Sequence, residues 1–242
     1  MLIAGCSHAA GSEINGQEDS VYNRQHSFGA LTARHLGYRP VSIAKNGMTN
    51  PGIARSILNW FLHNYDPEKM EVFVLVAWTE STRMEIHTGE MYGYNLSSKA
   101  ADWYDKTADR YLRITFGWDG STPEEKAIVP KYHRFMSENE KFLETFTMQL
   151  VLQLQFFFNS KNVKYLMCNS SHVFSKDSSH LVDYCKLVDN TKYFNMLQQD
   201  EAFYTKYKNL GYKNDKAKYW HHDEIPHKLY AEELIQFLEK TQ

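Results

Sequence analysis

Ser7 stands where the apolar run Leu2-Ile3-Ala4 breaks, in "MLIAGCSHAAGSEI", with Gly5 before it and Ala9, Ala10 and Gly11 close behind. Small residues at a strand-to-helix turn present a side chain to a pocket and leave backbone N–H groups free beside it. Ser7 is therefore a candidate nucleophile, although the same turn could simply use Ser7 as a helix cap. Two further patches could join it. In "IAKNGMTNPGI", Gly47 lets the backbone approach a ligand closely and Asn50 can aim a side-chain amide into the same space. In "WHHDEIPHKLYAEEL", histidines 221, 222 and 227 gather at the start of the last helix. A serine hydroxyl attacks only when an adjacent base takes its proton, and an imidazole does this near neutral pH. The resulting oxyanion needs preorganised donors, which Ser7 N–H, Gly47 N–H and a side chain near the end of the third strand could supply. The chemistry this points to is acyl transfer through a covalent serine intermediate.

Other readings of the same residues are weaker. Cys6 could compete as nucleophile, but adjacent side chains on a strand point to opposite faces. His221, His222, His227 and Asp223 could ligate a metal, yet neighbouring histidines on an extended segment point apart and no second cluster has ligand spacing. No metal and no organic cofactor is expected. "CNSSH" at 168–172 reads as a loop start, and His8 and His172 as ordinary hydrogen-bonded or exposed histidines.

The elements that must position these residues are legible as alternating patterns. Apolar runs "LIAG", "PVSIA" at 40–44, "EVFVLVAW" at 71–78 and "KYLMC" at 164–168 are spaced as strands buried on both faces, hence parallel. Between them lie helical patterns: "SFGALTARHLG" ending at Gly37, "NPGIARSILNWFLHNY" with Pro51 in its first turn, and a long segment from Tyr132 to Phe158. In that long segment Phe135, Phe142, Phe146, Leu150 and Leu154 form the expected apolar stripe. "PHKLYAEELIQFLEK" closes the chain. The reading is one α/β domain over residues 1–242, a three-layer α/β/α sandwich with a mainly parallel sheet. Two aromatic-rich insertions interrupt it, at 81–130 after the third strand and at 175–220 before the histidines. The first carries Tyr92, Tyr94, Trp103, Tyr104, Tyr111, Phe116 and Trp118; the second carries Tyr193, Phe194, Phe203, Tyr204, Tyr207 and Tyr212. They could wall a pocket at the C-terminal edge of the sheet or form a satellite core under long loops.

Bulk properties narrow the partners. A formal net charge of -2 supplies no basic excess for a phosphate backbone, so nucleic acid is not expected. Cys6, Cys168 and Cys185 are three and widely spaced, which argues against a disulfide framework and fits a reducing compartment. No basic-then-apolar leader opens the chain and no stretch is apolar for long enough to span a bilayer. The expectation is a soluble protein, cytoplasmic or virion-associated.

With these patches in order, the sequence resembles the SGNH hydrolases, or GDSL-type esterases, particularly divergent forms from bacteriophages. Gly5-Cys6-Ser7 matches the Gly-Asp-Ser block, Gly47 the second-block glycine, and "AWTE" the third block, with Thr79 in place of the oxyanion asparagine. "HHDEIPHKLYAEEL" matches the last block. The resemblance implies a flavodoxin-like SGNH fold, Ser7 as nucleophile, His221 as base with His222 as alternative, and an oxyanion hole of Ser7, Gly47 and Thr79. Arg83 could compensate for the shorter Thr79 or be a surface salt-bridge partner. The family's acid sits three residues before the histidine, where this chain has Lys218. Asp215 could substitute if the chain bulges, Asp223 is nearer but suited to starting the final helix, and a Ser-His dyad stays open. The implied substrate is an ester, with O-acetyl groups on a polysaccharide favoured by the exposed aromatics. The rival is a non-catalytic SGNH-like module that binds glycan or builds a larger assembly such as a virion.

Overall fold

The computed structural model describes residues 1–87, 111–114 and 123–241. The described elements are β1 (Leu2–Gly5), α1 (Ser7–Ala10), α2 (Val21–His26), α3 (Phe28–His35), β2 (Val41–Ser42), α4 (Asn50–Asn64) and β3 (Phe73–Trp78). They continue with β4 (Met84–His87), β5 (Tyr111–Ile114), α5 (Pro123–Glu138), α6 (Glu140–Ser160), β6 (Lys164–Asn169), α7 (Val182–Cys185), α8 (Phe203–Asn209) and α9 (Glu224–Thr241).

The four apolar runs pair into one parallel sheet in the order β2-β1-β3-β6. Side chains alternate across it. Leu2, Ala4, Val74, Val76 and Met167 meet Ile53 and Ile57 of α4 and Val151, Leu154 and Phe158 of α6. Ile3, Phe73, Leu75, Ala77 and Leu166 meet Phe28 of α3, Phe203 and Tyr207 of α8, and Tyr230 and Leu234 of α9. This is the three-layer α/β/α arrangement that continuous apolar strands require, because both faces need a cover.

Chain connections leave β1 toward β2 on one side and reach β3 on the other, so strand order reverses at β1. In open α/β sheets that reversal opens a crevice beyond the strand C-termini, where ligands bind. Gly5 is in register with Ala77, so the segments that follow, Ser7 and Thr79, emerge side by side at that crevice. The close approach explains the glycine: a Cβ on Gly5 would lie 2.6 Å from Ala9 Cβ and 2.8 Å from the Ala77 carbonyl oxygen. Gly5→Ala should lower stability by about 1–3 kcal/mol through overpacking, read as a lower urea midpoint. An unchanged midpoint would mean that the turn is loose.

The long helical segment differs from expectation. It divides at Asn139 into α5 and α6, which face different surroundings. The buried residues of α6 include Glu144, Thr147, Met148, Val151, Leu154 and Phe158, whereas Phe135 and Phe142 are exposed. A break resets the helical phase, so a stripe drawn straight through it selects the wrong face. Strands β4 and β5 form an antiparallel hairpin apart from the main sheet. Glu85 docks it on α4 by an ion pair with Arg55 and a hydrogen bond from Thr49 Oγ1 at 3.0 Å.

Of the aromatic insertions, Tyr92, Tyr94, Trp103, Tyr104, Phe116 and Trp118 lie outside the described residues, as does the side chain of Tyr111. In the second insertion Tyr193, Phe194, Phe203 and Tyr207 are buried in the two main cores, so they support the sheet and do not wall a pocket. Among the described residues no helix is long and apolar enough to cross a membrane.

Candidate active site

Ser7 opens the short helix α1, directly after β1 and its N-cap residue Cys6. It is 6% exposed, whereas Cys6 is fully buried with Sγ 3.2 Å from Ser170 Oγ. The turn out of β1 thus buries the thiol completely and leaves Ser7 slightly exposed at the first position of α1. Helix α1 ends at Gly11 in a left-handed conformation (φ 72°), and the chain turns sharply through Ser12 and Glu13.

Glu13 is the residue that sequence reasoning missed. Its carboxylate is 1% exposed and accepts hydrogen bonds from the backbone N–H of Lys218 at 2.8 Å and of Tyr219 at 3.0 Å. Its Oε2 lies 2.6 Å from His221 Nδ1. A carboxylate only accepts, so Nδ1 carries the proton and Nε2 keeps its lone pair, the tautomer a general base needs. Position 218, where the resemblance looks for an acid, therefore contributes its amide to hold an acid brought from the other end of the chain. Glu13 pays for this place with a left-handed backbone (φ 63°), uncommon for a residue with a Cβ. Asp215, the expected acid, is exposed and does not contact the imidazole. The expectation failed because it searched near His221 in sequence; the one signal available was a lone carboxylate in the small-residue segment after Ser7.

The three histidines divide their roles. His221 is the one on the acid, and its pKa lies below the ordinary value: burial lowers it, outweighing the upward pull of the Glu13 hydrogen bond and charge. His222 turns inward, with Nε2 3.1 Å from the Tyr204 carbonyl oxygen and its ring edge-on to Phe203. His227 is buried and accepts the Phe28 N–H of α3 at 3.1 Å through Nδ1. Asp223 Oδ1 accepts the Ile225 N–H at 3.1 Å and so steadies the start of α9. His8 is also at the site. It is buried, packs edge-on to His221 with ring centroids 5.1 Å apart, and stacks on Tyr204 at the same separation. His8 follows Ser7 directly, so this contact sets the histidine loop against the Ser7 turn.

Gly47 sits in a turn with φ 67°, and a Cβ built on it would meet open space. Neighbouring Asn46 accepts a hydrogen bond from Ser12 Oγ, which ties the Gly47 turn to the segment joining Ser7 and Glu13. Asn50 and Thr79 behave differently from expectation. Thr79 N–H donates to Asn50 Oδ1 at 2.9 Å and Asn50 Nδ2 donates to Thr79 O at 3.0 Å, a closed pair that locks α4 to the end of β3. Thr79 Oγ1 donates to Glu80 Oε2 at 3.1 Å. Both donors of Thr79 are thus spent inside the protein, and Asn50 is a brace with no amide left to aim into the crevice. Glu80 forms an ion pair with Arg83. Burial pushes the Glu80 carboxyl up, but the Arg83 charge and surrounding donors hold it below the usual range.

Among the described residues no group of three His, Cys, Asp or Glu side chains is placed to hold a metal ion. The arrangement sets the Ser7 turn, through His8, against an imidazole oriented by a buried carboxylate, and ties the Gly47 turn to the same segment through Asn46 and Ser12.

No protein-family model and no curated protein matches the sequence. Among solved structures the chain is similar, at 14% identity and a TM-score of 0.41, to a carbohydrate esterase whose active site displays divergent catalytic and non-catalytic binding functions. That alignment covers 99% of this chain and 64% of that one. It is also similar to the acetyl xylan esterase Est2A from the rumen bacterium Butyrivibrio proteoclasticus, at 10% identity and a TM-score of 0.46, over 99% of this chain and 63% of that one. This chain therefore spans less than two thirds of the length of either.

Proposed function

We propose that this chain is a serine ester hydrolase of the SGNH type, with Ser7 as nucleophile, His221 as base and Glu13 as orienting acid. The observation that carries it is the 2.6 Å contact between Glu13 Oε2 and His221 Nδ1 in a loop packed against the Ser7 turn. Burial keeps His221 neutral near pH 7 and ready to accept a proton. Ser7 Oγ attacks the ester carbonyl carbon while His221 Nε2 takes its proton, and the carbonyl π electrons move to oxygen. The Ser7 and Gly47 N–H groups stabilise that oxyanion. Collapse expels the alkoxide, which leaves with the proton from His221, and the acyl group stays on Ser7. Water, deprotonated by His221, then releases the acid and restores the serine.

Trp220 is 79% exposed and precedes His221, with Tyr219 also exposed. Flat aromatic faces beside the reacting centre suit the apolar faces of sugar rings, which favours O-acetyl groups on a polysaccharide as the ester. The commitment of Thr79's donors favours a second reading, a non-catalytic SGNH-like module that binds glycan or belongs to a larger assembly such as a virion.

Treatment of the native protein with a fluorophosphonate, followed by peptide mass spectrometry, decides between them. The expected result is a single adduct on Ser7, absent from Ser7→Ala and from His221→Ala. Folded protein that takes no adduct while a control esterase is labelled would leave the binding or structural module.

A further inference from the structure

We propose that Arg83, tethered through Glu80, is a catalytic residue that supplies the charge stabilisation Thr79 cannot give to the oxyanion. This rests on the serine esterase reading. The vacancy comes first: Thr79 N–H is bonded to Asn50 and Thr79 Oγ1 to Glu80, so the counterpart of the oxyanion asparagine has no donor left to give. The candidate to fill it comes next. Glu80 and Arg83 close a turn, Arg83 N–H donating to Glu80 O at 3.1 Å, and their side chains pair through Arg83 Nε. That pairing holds the guanidinium by its inner nitrogen. Its two terminal nitrogens have no partner among the described residues. The Glu80 carboxylate is fixed in turn by the Thr79 hydroxyl, so the tether runs from α4 through Asn50, Thr79 and Glu80 to Arg83 without a flexible link.

The sheet register brings the guanidinium to the reacting groups: Gly5 is paired with Ala77, so the Thr79–Arg83 segment leaves β3 beside the Ser7 turn. In keeping with that placement, the pKa of His8 and of His221 is lowered first by burial and further by the Arg83 charge. The Arg83 side chain keeps only 16% of its surface exposed, so solvent screens the charge weakly. A preorganised cation in such a place stabilises developing negative charge more strongly than a neutral hydroxyl. In the attack step the electron pair leaving the carbonyl π bond localises on oxygen, and the Arg83 N–H groups donate to it without transferring a proton.

The test compares Arg83→Gln, Glu80→Gln, the double variant Arg83→Met with Glu80→Gln, and Ser7→Ala with the wild type on 4-nitrophenyl acetate, with melting temperatures recorded for each. Arg83→Gln should lower kcat by about 10²–10³-fold with KM within about twofold, the pattern of an interaction made in the transition state. Millimolar guanidinium chloride should restore part of that loss in Arg83→Gln and leave Glu80→Gln unchanged. The double variant Arg83→Met with Glu80→Gln, which leaves no unpaired charge behind, answers the question if the glutamine variant folds poorly. A kcat within twofold of wild type in a folded Arg83 variant, or a loss confined to KM, overturns the role of Arg83 while leaving the esterase reading intact. Hydrolysis by Ser7→Ala at the wild-type rate overturns the esterase reading itself.

Discussion

Glu13→Gln is expected to lower kcat by about 10³–10⁴-fold, the loss seen when a triad carboxylate becomes an amide. The reason is tautomeric. Glu13 now accepts from Lys218 N–H, Tyr219 N–H and His221 Nδ1. A glutamine can keep the two backbone donors only by turning its NH2 toward His221, where it donates to Nδ1 and moves the ring proton to Nε2. An imidazole protonated at Nε2 cannot take the proton of Ser7. The pH profile carries a second signature. His221 acts as a base only when neutral, so activity falls as pH drops through its pKa, already below the ordinary value of about 6.5. Glu13 pulls that pKa up, so removing its charge moves the acid limb of the profile to still lower pH. Asp215→Asn should change kcat by less than about twofold, since its carboxylate is exposed and away from the ring. Equal losses in both variants would show that the acid had been misassigned.

A second large effect is expected from acid. His8 and His227 are buried and have pKa values well below the ordinary one, chiefly through burial, and His221 and His222 are lowered for the same first cause. In the unfolded chain these rings return to about 6.5. Above that pH both states are neutral and the stability is fully present. As pH falls below it, the unfolded state takes up protons that the native state refuses, so stability is lost at about 1.4 kcal/mol per pH unit for each histidine still neutral in the fold. The urea midpoint should therefore fall steeply from pH 6.5 to pH 5, above the range in which Glu80, held low by Arg83, begins to titrate. A midpoint that stays level across that interval would mean that the buried rings gain protons without opening the structure.

Much of the fold was legible because its information is local. Leu2–Gly5 and Phe73–Trp78 are apolar throughout, and such runs can only be strands covered on both faces. Ser7 was legible for the same reason, since the glycine and alanines that crowd its turn are its immediate neighbours. What escaped was non-local. Glu13 meets His221 across 208 positions, and no periodicity or spacing rule spans that distance. His222 and His227 share a residue type with His221, but only tertiary packing assigns one to the Tyr204 carbonyl and the other to the Phe28 amide. Thr79 carried the right chemical group in the right place, and its loss to Asn50 and Glu80 depends on α4 docking against β3. The break at Asn139 was hidden because both flanking segments are good helix formers, so only the change of packing partner reveals it.

The pairing of Glu13 with residues 218–221 also sets an order of events during synthesis. The proposed nucleophile and acid, Ser7 and Glu13, come early in the chain, and β1 is paired on both sides only once β2 and then β3 have been made. The imidazole arrives after every strand of the sheet. Long-range contacts of this kind pay the full entropy of closing the chain before they return anything, and they form late. On the serine esterase reading, a ribosome-bound chain that has completed its sheet therefore still holds an unactivated serine. Reactivity switches on when the final loop docks, so the gain of fluorophosphonate labelling during refolding is a clock for the last step of folding.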